Sequence, residues 1–296
     1  MSVFITDGVE ARAAIPGRSL WDDARRRLFR NKAAVSSMVV LGVLVLLAIV
    51  GPYLTPYGYD QINKQDVWLA PLVHGHLLGS DALGRDLLAR LLMGLRVSLA
   101  IGLVATFVSL VIGVAWGATA GYLGGAVDEV MMRAVDVLYS LPFIFFVILL
   151  MVTFGSNIVL IFVAIGAVEW LTMSRIVRGQ TLTLKHKEFV EAARASGLGR
   201  GAIIARHIVP NLLGPVVVYV TLTIPAVILA ESFLSFLGLG VQPPMASLGS
   251  LIAQGAQDME LAPWLLIFPS LVMVLTLMCF NFIGDGLRDA IDPKDR

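Results

Sequence analysis

Charged side chains are scarce in this sequence. Asp, Glu, Lys and Arg make up 15% of its 296 residues, and 57% of the residues are hydrophobic. Soluble domains carry roughly 25% charged residues, whereas the mean hydropathy here is +0.84. A soluble globular domain is therefore excluded as the class of protein. The net charge of +1 gives no indication of a nucleic-acid partner.

Cysteine and the usual catalytic motifs are also nearly absent. The single Cys279 excludes an intramolecular disulfide, and its place in the last apolar run predicts a buried side chain. No G-x-x-x-x-G-K-S/T loop occurs, and GLGRG at 197–201 lacks the spacing of a dinucleotide site. His74 and His76 form an H-x-H without a third ligand nearby, so no metal site is expected there. The sequence predicts a non-catalytic chain that itself holds no cofactor and no metal.

Long uncharged runs are what the sequence has in abundance. About 20 apolar residues are enough for a helix to cross the hydrocarbon core of a bilayer, and nearly every run reaches that length. The sequence therefore predicts an all-α polytopic membrane protein with six transmembrane helices. The predicted spans are 33–54, 97–121, 134–154, 157–173, 214–237 and 263–284.

Lys and Arg are distributed unevenly between the two ends of these spans. With six spans both termini lie on one side, and that side carries 18 of the 22 basic residues. Because positive charge concentrates on the cytoplasmic side of a membrane, both termini and the segment around 185–213 are expected to be cytoplasmic. No small-residue cleavage site follows the first span, which is therefore expected to remain as an anchor.

Two mixed segments precede the first two spans. SLWDDARRRLFRNK predicts a helix capped by Ser19, whose apolar stripe and arginines suit the headgroup layer; a solvated basic face is the alternative. On the opposite side, GSDALGRDLLARLLMGLRVS at 79–98 leads into the second span. Asp86 and Arg90 are spaced i,i+4 there, and the spacing predicts an ion pair that orders the start of a helix.

Few acidic residues fall within the predicted spans. Three of them are functional candidates, because ionisable groups within membrane spans usually have a functional role: Asp136, Glu169 and Glu231. Each lies near the end of a predicted span, where a structural role in capping the helix end is the alternative. We select Glu231 as a possible substrate-path residue. Pro142 and Pro225 lie inside spans three and five, where a missing backbone hydrogen bond permits bending.

The stretch KEFVEAARASGLGRGAIIARHIVPN, residues 187–211, is charged and helix-prone. One helical face carries mainly small residues, which favours close docking into a groove on another protein, whereas a solvated loop is the alternative. That face consists of Phe189, Ala192, Ala193, Ser196 and Gly197. Gly197 and Gly199 are expected to end this helix, and Pro210 to end a second short helix.

The same stretch resembles the EAA loop of permease subunits of ABC importers. Glu191, Ala192, Ala193, Gly197 and Pro210 match that pattern position by position. Ile208 matches one place late, and a valine follows it where leucine is usual. In that family the loop is the coupling helix seated in a cleft of the ATPase subunit, which implies ATPase coupling for these six matched residues.

Further segments resemble the C-type permeases of peptide-family importers, and within them the oligopeptide permeases. The C-type resemblance is carried by GSDALGRD (79–86), GYLGG (121–125), ESFLSFLGLG (231–240) and FNFIGDGLRDAIDPKDR (280–296). The similarity to oligopeptide permeases is carried by RSLWDDARRR (18–27), FIFFVILL with the following TFG (143–155) and RIVRGQTL (175–182). The resemblance covers residues 18–296, with two departures. Ser80 replaces a usual Thr, and Leu248 stands where many relatives have Trp.

This resemblance implies a type I, MetI-like permease fold in a bacterial inner membrane. The implied partners are a B-type permease, two ATP-binding cassette ATPases that hold ATP and Mg, and an extracytoplasmic peptide-binding protein. Glu231 is then a carboxylate that can hold the amino group of an arriving peptide. Dipeptide, nickel or glutathione permeases are alternatives within the class, and an ion-coupled secondary carrier is an alternative outside it.

The expected organisation has four parts. A cytoplasmic tail with its interfacial helix covers 1–32, and the first span with an extracytoplasmic loop covers 33–96. A five-helix permease core follows over 97–284 and includes the coupling loop at about 185–213. A cytoplasmic tail covers 285–296.

Overall fold

The computed structural model describes residues 20–155 and 158–291, and these parts of the chain are almost entirely helical. The helices are α1 (Leu20–Arg30), α2 (Lys32–Leu54), α3 (Leu87–Leu123), α4 (Gly125–Ser140), α5 (Phe143–Phe154), α6 (Ile158–Leu184), α7 (Glu188–Ala195), α8 (Arg200–Ile203), a π-helical turn (Ile204–Ile208), α9 (Val209–Phe236), α10 (Leu248–Gln257) and α11 (Trp264–Ile291).

The described residues contain five helices that are long and apolar enough to cross a membrane. A sixth span is present if α4 and α5 are counted together as one bent pair. The prediction of six spans is confirmed in this form, and the helices extend beyond the predicted spans. α3 begins at Leu87, as expected from the mixed segment before the span at 97–121, and α6 continues to Leu184 beyond the span that was predicted to end at 173. The span predicted at 134–154 was wrong in being continuous, because it is interrupted.

The interruption lies at Leu141 and Pro142, where the chain bends by 81°. Leu141 has an extended backbone with ψ of 130°, because a residue before proline is driven away from the helical region. Pro142 in turn serves as the N-cap residue of α5. The expected bending at Pro142 is therefore a full break, whereas Pro225 lies within the continuous helix α9.

α3 and α6 form the closest helix pair in the chain. Three glycines at four-residue intervals face α6, and a methyl group on Gly117 would lie 2.3 Å from the carbonyl oxygen of Ser174. Gly113 and Gly121 face Met173 and Thr181 in the same way. Small residues at this interval let two membrane helices approach until their backbones touch, so α3 and α6 form the frame for the other elements.

The helix predicted to stop at Pro210 instead continues. α8, the π-helical turn and α9 together form a 37-residue helix, Arg200–Phe236. A proline inside a helix removes one hydrogen bond and crowds the preceding turn. The π-helical turn ends at Ile208, two residues before Pro210. A π turn contains an extra residue and is wider than an α-helical turn, which leaves space for the proline ring.

At the amino-terminal end, Asn31 links the basic helix α1 to the first span. Its side chain accepts hydrogen bonds from the backbone of Ala33 and Ala34 at the start of α2. α1 packs against α11, where Gly286 lies close to Leu28 and Ala34. The predicted cap at Ser19 lies outside the described residues.

Candidate functional site

The coupling loop (185–213) begins with α7, which is closed by a Schellman motif. The N–H of Leu198 donates to the carbonyl of Ala193 at 3.2 Å, and the N–H of Gly197 donates to that of Arg194 at 3.0 Å. Gly197 has a φ of +79°, a conformation that glycine adopts at no steric cost. The expected glycine end of this helix is confirmed.

One face of α7 is anchored inside the chain. Val190 and Ala193 are buried in a cluster with Ile203, Ile208 and Leu212. Tyr122, Met173 and Val177 of the α3–α6 pair belong to the same cluster. The loop is therefore a packed extension of the permease core.

The opposite side of α7 is free. Glu191, Ala192 and Gly197 are exposed, and Phe189 leaves 39% of its side chain accessible. The small-residue face expected from the sequence is thus divided, because Ala193 turns into the core while Ala192 turns outward. Of the other matched residues, Ile208 is buried and Pro210 is exposed. The grouping of Ala193 with Ala192 on one docking surface was wrong.

Glu231 occupies a different kind of site near the other end of α9. Its side chain is fully buried, and it accepts hydrogen bonds from the hydroxyls of Ser235 at 2.6 Å and Ser247 at 2.7 Å. The hydroxyl of Ser98 on α3 lies 3.5 Å away and also accepts from the backbone N–H of Leu248. The carboxylate therefore joins α9, α3 and α10, and none of it is exposed among the described residues.

The substrate-path role of Glu231 stays a prediction, and the structure shows how its carboxylate is held in this conformation. A buried polar group is tolerated when its hydrogen bonds are satisfied, and three hydroxyls satisfy this one. Ser247 also caps α10 in a reciprocal pair with Ser250. Leu248, the departure from the usual Trp, is completely buried beside them. The structural alternative for Glu231 is consistent with these contacts, which do not test the substrate-path role.

The outer loop before α3 holds a second buried polar network. Arg90 is 1% exposed and pairs with Asp81 and with the side-chain oxygen of Gln254, at 3.0 Å. Asp81 also accepts from Arg85 Nε at 2.8 Å. Asp86 caps α3 through the N–H of Ala89. The predicted Asp86–Arg90 pair is wrong, because Asp86 is used as a helix cap and Arg90 reaches back to Asp81.

Histidines complete this network. His76 stacks on Tyr57 and lies with Nδ1 2.8 Å from Asp86, while His74 lies 2.9 Å from Asp66. The His74 hydrogen bond is the main cause that holds the pKa of Asp66 below its ordinary value. Among the residues described, no group of three or more His, Cys, Asp or Glu side chains is arranged to hold a metal ion.

Sequence reasoning missed the ion pairs between α4 and α6. Arg178 makes a bidentate pair with Asp128 at 2.5 and 2.6 Å, and Arg175 lies 2.8 Å from Asp136. The two arginines had been counted only as positive charge for topology. Their spacing of three residues on one face of α6 was the available signal.

Comparison with known proteins identifies the fold and the family. A chain of the structure titled "Inward facing conformations of the MetNI methionine ABC transporter" superimposes with a TM-score of 0.57 at 20% identity, covering 70% of this chain and 96% of that chain. This similarity confirms the expected MetI-like fold.

Sequence relatives extend over nearly the whole chain. The oligopeptide transport system permease protein OppC of Haemophilus influenzae is 55% identical over 99% of this chain and 94% of that protein. OppC of Escherichia coli (strain K12) is 56% identical over 95% and 94%. The dipeptide transport system permease protein DppC of Bacillus subtilis is 43% identical over 95% and 88%.

Two family descriptions match the chain. The N-terminal TM domain of oligopeptide transport permease C matches residues 19–71, and the binding-protein-dependent transport system inner membrane component matches residues 109–296. Neither description is that of an enzyme or of an ion-coupled carrier. The chain belongs to the family of binding-protein-dependent transport system inner membrane components, in its permease C branch, and is a non-catalytic permease subunit.

Proposed function

We propose that this chain is the permease C subunit of an ATP-driven oligopeptide importer. It forms the translocation path together with a B-type permease, and conformational changes of the ATPases are transmitted to it through its coupling loop. The observation that carries the proposal is the two-sided α7, buried on Val190 and Ala193 and exposed on Phe189 and Ala192. Its relatives named as oligopeptide permeases supply the substrate class.

The exposed side of α7 suits a protein partner. An aromatic side chain beside small residues can enter a pocket with little loss of conformational entropy, and such anchors dominate interface energies. Glu191 lies at the rim, where a charge mainly orients the partner. We propose that a cytoplasmic ATPase binds here and that ATP and Mg are held by two such ATPase subunits.

Movement of α7 has a direct mechanical route into the membrane. The loop packs on Ile208 and Leu212, which belong to the 37-residue helix Arg200–Phe236. A helix of that length is about 55 Å long, and Glu231 lies near its far end. A displacement of the coupling loop therefore tilts this whole helix, which is attached to α3 and α10 through the hydrogen bonds between Glu231 and the serine hydroxyls.

The same proposal assigns the remaining partners and the topology. An extracytoplasmic peptide-binding protein delivers substrate to the outer face, and both termini and the coupling loop lie in the cytoplasm of a bacterial inner membrane. The basic-residue distribution supports this orientation. Reporter fusions after Leu198 and near Gln254 should give inside and outside signals respectively, and an outside signal at Leu198 would reverse the assignment.

Substrate class is tested by transport in the reconstituted complex. The chain is co-expressed with its B-type permease, its ATPases and its binding protein, and the complex is reconstituted in proteoliposomes. Labelled oligopeptides, dipeptides, glutathione and nickel are then supplied separately as substrates. ATP-dependent accumulation of oligopeptides in preference to the others is expected. Preference for a dipeptide, glutathione or nickel would assign the chain to one of the related permeases instead.

Coupling is tested at Ala192, because this residue is exposed on the side of α7 that faces away from the core cluster. Ala192→Trp should spare membrane insertion but reduce ATPase retention in a pull-down by about tenfold, since overpacking an interface costs about 1–3 kcal/mol. Ala33→Trp, at an exposed alanine outside the loop, is the matched control. Equal ATPase retention by the two variants would reject the coupling role.

A further inference from the structure

A cavity of about 370 Å³ lies where α4 breaks from α5 and both meet α6. Leu141, Pro142 and Phe146 line it from the break, and Glu169 and Thr172 line it from α6. The volume falls within the range of about 300–1,000 Å³ that is typical of small-molecule sites. Broken membrane helices characteristically surround substrate sites, because their ends leave backbone and side chains free to face a ligand.

Glu169 is the ionisable group of this cavity. It lies roughly 16 Å along α6 from Ile158 and 22 Å before Leu184, so it is far from both helix ends. Its side chain is half-buried, and among the described residues it has no hydrogen-bond or ion-pair partner. Glu231 differs in burial and in hydrogen bonding, since it is fully buried and accepts hydrogen bonds from serine hydroxyls.

A carboxylate this deep in a span is costly unless it faces water or a cation. The aromatic and aliphatic lining supplies no cation, whereas the arginines further along the helix already have carboxylate partners.

Two arginine ion pairs lie beyond Glu169 along α6. Arg175 and Arg178 follow Glu169 toward the coupling loop. Arg175 pairs with Asp136 and lies 4.3 Å above the ring of Tyr139. A second cavity of about 520 Å³ is lined by both arginine pairs. The two cavities between α4 and α6 are together called the α4–α6 groove.

We infer that the groove between α4 and α6 is this chain's part of the substrate path and that Glu169 binds the ammonium group of a passing peptide. The inference rests on the proposed function. An amino-terminal ammonium is common to peptides of every sequence, so one carboxylate can serve a transporter whose cargo varies. The apolar wall formed by Leu141 and Phe146 accepts a neighbouring side chain of any shape.

The binding role is tested by uptake into proteoliposomes of the complete complex. Glu169→Gln keeps the shape and removes the charge, and Glu260→Gln, at an exposed outer-loop carboxylate, is the matched control. We expect the apparent KM for a peptide with a free amino terminus to rise about tenfold for Glu169→Gln only. Uptake of the N-acetylated peptide should be the same in all three proteins.

The outcomes separate this inference from the proposed function. If the unaltered complex imports no peptide, the proposed function fails. If it imports peptide and Glu169→Gln shows an unchanged KM, the role of Glu169 fails while the function stands. An equal loss for free and acetylated peptides would also reject ammonium binding, because that loss would come from structure.

Water access to the groove is tested independently of peptide chemistry. Cys279 is replaced by Ala, and cysteine is placed at Thr172 in the groove or at Ser174, which is buried on the opposite face against α3. A membrane-impermeant thiol reagent should modify Thr172→Cys in the assembled complex, and added peptide should slow that reaction. Ser174→Cys should remain unmodified. Modification of neither position, or no protection by peptide, would place the path elsewhere.

Discussion

The outer loop before α3 and the coupling loop at the opposite end satisfy their polar groups in contrasting ways. In the outer loop Asp81, Arg90 and His76 are all buried and are bonded within the chain. In the coupling loop the charged residue Glu191 is exposed, while only the apolar face of α7 is held by the core. One end is completed by its own side chains, and the other leaves one side of a helix exposed, which is the side we propose for ATPase binding.

This difference separates a rigid part of the chain, the outer loop, from a part that can move, the coupling loop. A buried ion pair tolerates little displacement, because separation leaves a desolvated charge. An exposed helix anchored by a few apolar contacts can move as a unit with a partner. The tight α3–α6 pair connects the two ends, so a disturbance at each place should differ in size and in kind.

Breaking the outer network should have the largest effect. Asp81→Asn removes the carboxylate that faces Arg90, whose guanidinium then stays buried with only the Gln254 side chain. We expect a loss of about 3–5 kcal/mol in the stability of the complex, measured by thermal unfolding in detergent. Asp60→Asn, at an exposed aspartate of the same loop, should change little. Similar values for both would show that the buried pair is dispensable.

Disturbing the α3–α6 contact should come next. Gly117→Ala places a methyl group 2.3 Å from a backbone oxygen of α6, and the helices must separate, at a cost of about 1–3 kcal/mol. Gly42→Ala in α2 meets nothing within 4 Å and serves as the control. Unfolding temperatures of the two purified complexes test the contrast, which would collapse if the two substitutions were equally tolerated.

The coupling loop should respond more mildly. Gly197→Ala forces a Cβ into a backbone with φ of +79°, which costs about 1–2 kcal/mol. Gly199→Ala has a φ of −67° and open space, so it should be nearly neutral. Because the cost falls on the end of α7, we expect weaker ATPase binding with unchanged membrane insertion. Pull-down of the ATPases measures this, and equal retention by the two alanine variants would contradict it.

The smallest expected effect is a pH dependence of the outer loop. The folded-state pKa of Asp66 is lowered, chiefly by His74, so its stabilising contribution is present above the ordinary aspartate pKa and is lost as the pH falls through the lowered value. We expect the protection factors for amide hydrogen exchange at residues 66–76, which correct for the intrinsic pH dependence of exchange, to fall below about pH 4. Asp66→Asn should abolish that dependence, and His76 and Asp86, which face the same network, should be followed as well. An unchanged profile in Asp66→Asn would assign the effect to another group.

Several features of the fold could be predicted from local sequence alone. Apolar runs of spanning length determine where helices cross the membrane, because each helix satisfies its own backbone hydrogen bonds. The end of α7 at Gly197 is equally local, since it depends on a backbone conformation that only glycine enters freely. The break at Leu141 and Pro142 follows from proline sterics, although its angle of 81° does not.

The candidate sites were less accessible to such reasoning. Residue spacing predicted an ion pair between Asp86 and Arg90. In the structure Asp86 caps the start of α3 instead, and the preceding loop brings Asp81 to Arg90. Ala192 and Ala193 are adjacent in sequence, yet only the core cluster decides which of them is exposed. Contacts between distant segments set these outcomes, and spacing along one helix carries no information about them.

The sequence by itself determined an all-α membrane chain built from six apolar segments with a charged, glycine-ended helix between the fourth and the fifth, because composition, span length and glycine placement act locally. Only the tertiary structure decided what surrounds each acidic residue. Glu231 is surrounded by serine hydroxyls from α3, α9 and α10, whereas Glu169 faces a cavity at a helix break. Both are lone carboxylates in apolar runs, and the difference arises from which neighbouring helices bring hydroxyl groups within hydrogen-bonding distance.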